Sequence, residues 1–415
     1  MSTHARFSPS GAHRWKACPG SLALEAGLPD TSGVHADEGT AAHFLASECL
    51  LAQQDAVIHV DAVIEVARDA RWYYTGDPVT GTLFTVTADM ANDVQVYIDD
   101  VRRAAQGGYL EVEVRLDHSA AIDQPEQFGT GDAVIVKPRR LEVRDLKFGR
   151  GVKVDAENNE QLMLYGLGAL DRYEMVADFD EVLLAIHQPR LDHLSEWVVS
   201  VEDLRKFGDE AKRAAKMCLV NIEAYAQNPH VALDLNPGPK QCRWCKAKAT
   251  CPALRGEVMD AFSAVPEPES PTVTEDDLST SMVKVDLIEQ WCKAVRAETE
   301  RRLLAGTPVP GYKLVQGKRG ARQWADPVEA EAALKAIRLK VEEMYDLKLI
   351  SPTTAEKLAK AKTIGPRQWP RLQELITQPE GRPSVAPESD KRPALAITAV
   401  SDDFDTVPAE EEALA

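Results

Sequence analysis

The chain has 415 residues, of which 44% are hydrophobic and 27% are charged, a composition that excludes a fully disordered or fibrous protein and allows two or three domains. The net charge of −18 argues against a nucleic-acid partner, because phosphate binding normally uses a basic surface. No apolar run approaches the roughly 18–20 residues of a membrane span, and the first residues lack the apolar core of a signal peptide. We therefore expect a cytoplasmic protein with no membrane partner.

The acidic residues are concentrated in two stretches rich in proline and serine. Residues 265–280 contain five acids and no base, and residues 378–415 contain nine acids and three bases, so together they carry −11 of the net charge. Such composition does not bury enough apolar surface to fold. We predict an acidic linker over 263–282 and a disordered acidic tail over 378–415, which leaves most of the chain only weakly acidic.

Hydrophobic periodicity predicts an α/β (α+β) domain over residues 1–262. Its elements, in chain order, are helices over 37–53 and 91–105, strands over 109–117, 131–137 and 141–149, a helix over 158–174, a strand over 181–188 and a helix over 201–227. Residues 138–140 are short enough to form a hairpin. A smaller, mostly helical C-terminal region is predicted over 283–377, with helices over 285–305 and 327–361 and a short hairpin over 311–324 between them.

Two acids and a lysine lie on the predicted hairpin. Asp145 and Lys147 are two residues apart on one strand and therefore share a face, and the hairpin brings Asp132 within their reach. Converging carboxylates beside a lysine are suited to a hard divalent cation and a phosphate. Glu113, on the preceding strand, is a candidate third carboxylate. The alternative is that these residues form the solvated face of an amphipathic hairpin.

A second set of polar residues lies on the neighbouring predicted helices. Gln161 and Tyr165 are one helical turn apart and face the same way, although a tyrosine in such a position is more often part of the core. His43 lies near the start of its helix, where a lone histidine is more often an ordinary surface or core residue. Their position around the hairpin motif is what makes them candidates.

The cysteines form one tight cluster. Cys242, Cys245 and Cys251 are spaced C-x2-C-x5-C, which is suited to wrapping one metal centre, and Cys18 is the natural fourth ligand. Zinc and iron–sulfur remain equally open from these ligands alone. The odd total of seven cysteines does not indicate a disulfide framework. Cys49, Cys218 and Cys292 are predicted to be small apolar residues.

In this order, the motifs resemble those of the PD-(D/E)XK nuclease superfamily. They are similar to its RecB-like branch, which includes AddB-type and CRISPR-associated nucleases with an iron–sulfur cluster, and to the phage and prophage proteins of that branch. The resemblance covers residues 8–255 and is carried by GTAAH with His43, EVRLD with Glu113, GTGD with Asp132, DLK with Asp145 and Lys147, QLMLY with Gln161 and Tyr165, and the four clustered cysteines.

The resemblance implies a restriction-endonuclease-like core, with a central mixed sheet flanked by helices. It also implies a [4Fe–4S] cluster on Cys18, Cys242, Cys245 and Cys251 that joins the start of the chain to the end of the domain. Asp145 stands where glutamate is commoner in the superfamily, a difference of one methylene that the pattern allows. No nuclease motif lies beyond about residue 265.

The resemblance also implies roles for single residues in DNA hydrolysis. Asp132 and Asp145 would hold Mg²⁺ or Mn²⁺, and Glu113 and His43 would complete one or two metal sites. Lys147 would orient the attacking water. Gln161 and Tyr165, in the same catalytic set, would position the DNA strand.

The expected activity is that of a metal-dependent deoxyribonuclease, specifically an exonuclease, in phage recombination, replication or DNA repair. A phage single-strand annealing or single-strand-binding protein is a possible partner. Two basic groups are candidates for phosphate contacts: Lys137, Arg139, Arg140, Arg144, Arg150 and Lys153 near the site, and Lys313, Lys318, Arg319 and Arg322 with Tyr312 and Trp324. The alternatives are a DNA-end-binding or partner-docking module that keeps the fold, and a zinc-stabilised regulator.

Overall fold

The computed structural model of the protein describes residues 5–29, 34–67, 69–263, 275–313, 315, 352–373 and 375. The chain divides into two compact units, Met1–Gln316 and Gly317–Ala415. In the described part of the second unit are two helices, Pro352–Lys360 and Trp369–Gln373. The predicted tail, part of the predicted linker, and most of the predicted hairpin and second helix of the C-terminal region lie outside the described residues.

Two sheets form the β-structure of the first unit. The strands are β1 (Val63–Val66), β2 (Ala70–Tyr73), β3 (Thr82–Thr85), β4 (Tyr109–Asp117), β5 (Phe128–Lys137), β6 (Arg139–Leu146), β7 (Phe179–Gln188) and β8 (His193–Ser200). A small three-stranded antiparallel sheet has the order β2-β1-β3, and the central five-stranded sheet has the order β4-β5-β6-β7-β8. Only the β6–β7 pair of the central sheet is parallel, so this sheet is mixed.

Helices surround the central sheet or pack beside it, and α8 and α9 pack on each other. In the described part of the first unit they are α1 (Ala12–Ala17), α2 (Ser21–Glu25), α3 (Val34–Ala52), α4 (Ala88–Ala104), α5 (Ser119–Ile122), α6 (Glu160–Tyr173), α7 (Val201–Gln227), α8 (Pro252–Ser263) and α9 (Glu275–Leu304). The helix α6 forms the crossover that the parallel β6–β7 pair requires. The predicted α/β class, with a central mixed sheet flanked by helices, is confirmed.

Most predicted elements of the first domain agree with the structure. The predicted strand 109–117 and helix 201–227 match β4 and α7 at both ends. The hairpin is tighter than predicted, because Lys137 pairs with Arg140 and only two residues form the turn. The strand β6 ends at Leu146 instead of residue 149. The helix α9 begins ten residues before the predicted position 285, so it includes part of the stretch predicted as linker.

Two hydrophobic layers pack on opposite faces of the central sheet. One contains Val143 of β6 together with apolar residues of α6 and α7. The other contains Leu146 of the same strand together with apolar residues of α3, α4 and the small sheet. Because both faces are covered, all but the first two residues of β6 are buried. Any charged residue on this strand must therefore find a partner.

The small sheet supports the helix that carries His43. Trp72 of β2 donates a hydrogen bond from Nε1 to Glu48 of α3 at 3.1 Å. Its ring meets that of Phe44, the residue after His43, edge to face at a centroid distance of 5.2 Å. This sheet is not predicted from the sequence, because its strands have only four residues each. None of the described helices has the length and apolar character that a membrane span needs.

Candidate metal centre

The β5–β6 hairpin brings the two predicted aspartates together. Ala133 pairs with Arg144, so Asp132 and Asp145 occupy the next positions along the two antiparallel strands. One carboxylate oxygen of Asp132, Oδ2, accepts a hydrogen bond from the backbone N–H of Leu146 at 2.6 Å. The predicted convergence of these two acids follows directly from a tight turn and an uninterrupted register.

Glu113 and His43 complete one side of the site. The ligand atoms of His43, Glu113 and Asp132 all lie within 4.8 Å of one another, and His43 Nδ1 is 3.0 Å from Asp132 Oδ1. Glu113 has a φ of +53°, and β4 is not paired with β5 at this residue. A non-glycine residue with this φ is strained, and such strain is typical of functional sites.

Lys147 and Gln161 form the other side. Lys147 Nζ lies 2.9 Å from Asp145 Oδ2 and donates to Gln161 Oε1 at 3.1 Å. Gln161 Nε2 lies 3.4 Å from Asp145 Oδ1 and donates to the Tyr165 hydroxyl at 3.2 Å. The backbone N–H of Lys147 donates to His187 of β7 at 2.7 Å. The predicted pairing of Asp145 with Lys147 on one face, and of Gln161 with Tyr165 on one helix turn, therefore agrees with the geometry.

The carboxylates of the site, from Glu113, Asp132 and Asp145, outnumber its cationic side chains, Lys147 and His43. Removal from water, and then the Asp132 carboxylate, raise the pKa of Glu113 to about 7, although the side chain is still partly exposed. Burial lowers the pKa of His43, but Asp132 outweighs it and raises the pKa to about 9. Burial raises the pKa of Asp145, and Lys147 only partly offsets this. Burial and neighbouring negative charge disfavour the ionised form of these carboxylates, so they are suited to binding a cation.

The glycines of the GTGD motif make room for this arrangement. A Cβ at Gly129 would lie 2.6 Å from Cε1 of Tyr165 and 2.9 Å from Cγ of Pro9. A Cβ at Gly131 would lie 2.7 Å from Leu116. Any other residue at either position would push these neighbours away. The motif therefore seats the aromatic ring of α6 and the N-terminal segment against β5.

The four clustered cysteines meet at a second location. Cys18, Cys242, Cys245 and Cys251 line one cavity, and their exposures are only between 7% and 9%. Three of the sulfurs accept backbone N–H groups: Cys18 from Asn236 at 3.3 Å, Cys242 from Gly238 at 3.3 Å and Cys251 from Leu254 at 3.5 Å. The predicted joining of Cys18 to the C-x2-C-x5-C group is thus seen in the fold.

Burial makes these thiols hard to ionise without a positive partner. It raises the pKa of Cys18 and Cys242, and that of Cys245 to about 12. Among the described residues, no three of the four sulfurs lie within 4.8 Å of one another. As predicted, Cys49 and Cys218 are fully buried small residues, and Cys292 is half-buried.

A family model described as "protein of unknown function (DUF2800)" matches residues 4–393. The chain belongs to this family. The match includes the hairpin acids, Lys147, the α6 residues and all four clustered cysteines.

For this DUF2800 protein, the prediction that one group of basic residues lies near the site is partly wrong. Arg144 faces α4, on the opposite side of the sheet from Asp145. There it belongs to an ionic network of Asp100, Glu142, Arg144, His187 and Glu196, in which all residues except Glu196 are buried. Arg144 donates to Asp100 at 2.6 Å and to Glu142 at 2.8 Å, and lies 3.0 Å from Glu196.

The predicted basic residues of the β5–β6 hairpin are also engaged in ion pairs within the protein. Lys137 donates to Glu142 at 2.7 Å, and Arg139 and Arg140 pair with Asp180 and Glu181. Of the predicted group, Arg150 and Lys153 are exposed. Of the second predicted basic group, Lys318, Arg319, Arg322 and Trp324 lie outside the described residues.

The sequence analysis missed the residues that orient the sulfurs. Asn236 and Gly238 belong to a segment held by Asp234, whose backbone carbonyl accepts from Gly20 N at 2.9 Å. The buried side chain of Asn221 on α7 bonds both the backbone and the carboxylate of Asp234. The positions of backbone N–H donors depend on the path of the chain and not on residue type. The one sequence signal for these donors is that the LNPGP stretch lies just before Cys242 in the chain.

Proposed function

We propose that this protein is a Mg²⁺- or Mn²⁺-dependent deoxyribonuclease of the PD-(D/E)XK superfamily, an exonuclease of the RecB-like type. The observation that carries the proposal is the meeting of Asp132, Asp145 and Lys147 with Glu113 and His43 at one end of the central sheet. Carboxylate oxygens and one imidazole are suitable donors for a hard divalent cation. When bound by these residues, the metal would lower the pKa of a water ligand and offset charge on the phosphate.

Lys147 acts as a donor in this proposal and not as a base. Burial lowers its pKa, but Asp145 outweighs that effect, so the pKa is raised above the ordinary lysine value. A lysine that keeps its proton orients the attacking water and stabilises the negative charge of the phosphate in the transition state. Asp145 and Gln161 hold the ammonium in place from two sides.

Gln161 and Tyr165 hold the polar edge of the site. Burial raises the pKa of Tyr165, so its hydroxyl remains protonated. The amide of Gln161 connects this hydroxyl with Lys147. We propose that they position the DNA strand beside the metal ligands. In this superfamily the products carry 5′-phosphate and 3′-hydroxyl ends, and we extend that expectation to this chain.

We further propose that Cys18, Cys242, Cys245 and Cys251 hold a structural [4Fe–4S] cluster. The four thiols line one cavity, and the resemblance to the nucleases with an iron–sulfur cluster is what favours a cluster over a zinc ion. Backbone N–H groups on the sulfurs are one of the means by which proteins tune such clusters. A cytoplasmic location and a role in phage recombination or replication, beside a single-strand annealing or single-strand-binding protein, complete the proposal.

The nuclease proposal is tested by incubating end-labelled single- and double-stranded DNA with Mg²⁺ or Mn²⁺. We expect Asp145→Asn and Lys147→Ala to slow hydrolysis by roughly 10²–10³-fold each, because each change removes an electrostatic contribution to the transition state. Lys206→Ala, which changes an exposed lysine on α7, is the matched control and should retain full activity. Equal hydrolysis by all four proteins would refute the proposal, and DNA binding without hydrolysis would favour the docking module instead.

The cluster proposal is tested by anaerobic purification. We expect a brown protein with absorbance near roughly 400 nm, as thiolate-bound iron gives, and matching iron and sulfide contents. Cys251→Ser should lose the colour, whereas Cys49→Ser should retain it. A colourless protein with stoichiometric zinc would contradict the cluster and support the zinc alternative.

A further inference from the structure

The segment around the clustered cysteines is basic in an acidic chain. Residues 235–256 contain five bases and no acid, although the chain as a whole has a net charge of −18. Four of the bases lie between positions 240 and 248, interleaved with the thiols. The metal-binding role of the cysteines accounts for the buried half of this segment and leaves the cations unexplained.

The residues between the cysteines point outward. Lys240, Arg243, Trp244 and Lys246 are all exposed, and Trp244 is 70% exposed. An indole this exposed contributes little to the core. Its backbone is nevertheless fixed, because its carbonyl accepts from Arg14 Nη1 at 3.3 Å. We name Lys240, Arg243, Trp244 and Lys246 the cysteine-loop surface.

Two cations of this surface are uncommitted. Arg14 is paired with Glu25 at 3.1 Å, and Lys248 donates to the Arg243 carbonyl at 2.6 Å. In contrast, within the part of the chain that the structure describes, the side chains of Lys240 and Arg243 form no ion pair. They can therefore meet phosphates without first breaking an internal contact.

Helix α1 connects the surface with the end of α6 that carries Gln161. Arg14 of α1 donates to the Trp244 carbonyl, and Lys16 of α1 lines one cavity with Glu160, the first residue of α6. The same N-terminal segment places Pro9 against Gly129 and β5. A strand that leaves the metal centre along α1 would therefore reach the cysteine-loop surface.

We propose that the cysteine-loop surface binds single-stranded DNA, with one base stacked on Trp244 and the neighbouring phosphates paired with Lys240 and Arg243. That the partner is DNA rests on the proposed function. A single strand fits better than a duplex, because only unpaired bases offer a free face for stacking, and an aromatic residue among cations is the usual device for this.

Binding is measured with the full-length, cluster-loaded protein and a fluorescein-labelled oligothymidylate in EDTA, which prevents metal-dependent hydrolysis. We expect Trp244→Ala to raise Kd roughly 5- to 150-fold, the range of one lost stacking contact. Trp244→Phe should bind nearly as tightly as the wild type. Tyr74→Ala removes another exposed aromatic side chain, directly after β2, and should leave binding unchanged.

Two further measurements separate stacking from charge. An abasic strand with the same number of phosphates should bind the wild type and Trp244→Ala equally. Lys240→Gln with Arg243→Gln should reduce the slope of log K against log salt by about 1.4, since each lost phosphate contact on a single strand contributes about 0.7. Visible absorbance and thermal unfolding check each variant. If Trp244→Ala fails to fold, the phenylalanine and glutamine variants and the abasic strand decide.

The proposal is overturned if Trp244→Ala, or the glutamine pair, binds oligothymidylate as tightly as the wild type with an unchanged salt slope. Failure of the nuclease proposal looks different: no hydrolysis by the wild type with Mg²⁺ or Mn²⁺, while binding still depends on Trp244. The converse result is that hydrolysis depends on Asp145 while binding of oligothymidylate does not depend on Trp244. That result would support the nuclease proposal and refute the proposed DNA-binding role of the cysteine-loop surface.

Discussion

Arg144 and Asp145, two adjacent buried residues of β6, belong to two charge clusters of opposite kinds. On the α4 face, the ionic network has three carboxylates, from Asp100, Glu142 and Glu196, and Arg144 contacts all of them. Lys137 and Arg103 supply further positive charge there. At the candidate metal centre, the cations that the described residues place beside the carboxylates are Lys147 and His43. In the first cluster the cations balance the carboxylates, and we call it the closed network. In the second the carboxylates outnumber the cations, so we call it the open cluster and propose that it binds a metal cation.

The largest expected effect comes from opening the closed network. Arg144→Met should lower the free energy of unfolding by about 3–5 kcal/mol, because it removes the buried guanidinium that Asp100 and Glu142 share. Arg139→Met breaks an ion pair whose side chains are more than half exposed, and should cost at most about 1 kcal/mol. Urea unfolding of both variants measures the contrast. Similar losses in the two would show that the buried network is not special.

The next effect is a pH dependence that belongs to the closed network. Burial, with Arg144 nearby, lowers the pKa of His187 to about 4, below its unfolded value of about 6.5. The unfolded chain therefore binds the proton of this imidazole first, and the contribution of His187 to stability falls by about 3 kcal/mol as the pH drops from 6.5 to 4. His187→Gln should flatten this slope, whereas the exposed His230→Gln should leave it intact. Thermal unfolding across this pH range checks the prediction, and an unaltered slope in His187→Gln would contradict it.

Cation binding should stabilise only the open cluster. At a Mn²⁺ concentration of 100 times Kd, the wild type should gain about 2.7 kcal/mol. Glu113→Gln should lose most of this gain because a ligand is removed. Glu111→Gln, on the same strand but paired with Arg172, should retain it. The shift of the thermal midpoint with added Mn²⁺ is the measurement, and an equal shift in both variants would place the cation elsewhere.

The smallest expected effect concerns backbone strain in the open cluster. Since Glu113 has a φ of +53°, Glu113→Gly should unfold with a free energy roughly 1 kcal/mol higher than Glu113→Ala, which keeps the Cβ. Both lack the carboxylate, so the difference reports the backbone alone. Chemical denaturation of the pair measures it. If alanine proves as stable as glycine, Glu113 is not held under strain for the sake of the site.

The sequence predicted the open cluster better than the closed one. Asp132, Asp145 and Lys147 converge because a short turn sets the register of a hairpin, and turns are readable from sequence. The ion pair of Arg144 could not be predicted from the sequence. Strand alternation predicts that Arg144 faces away from Asp145, but it does not predict that α4 places Asp100 beside it. Strand alternation also says nothing of the kink at Glu113, since no residue type in EVEVRLD signals a positive φ. Its approach to His43 depends on packing between distant segments.

The contact between Cys18 and the segment of Asn236 has a consequence for synthesis. The two residues are 218 positions apart, so at about 5–20 residues per second a ribosome needs roughly 10–45 s to make the second after the first. During that interval the Cys18 thiol and the surrounding N-terminal helices have no completed partner. Maturation of the proposed cluster therefore waits for nearly the whole α/β unit to be made, and the last loop to emerge decides whether the first helices stay in place.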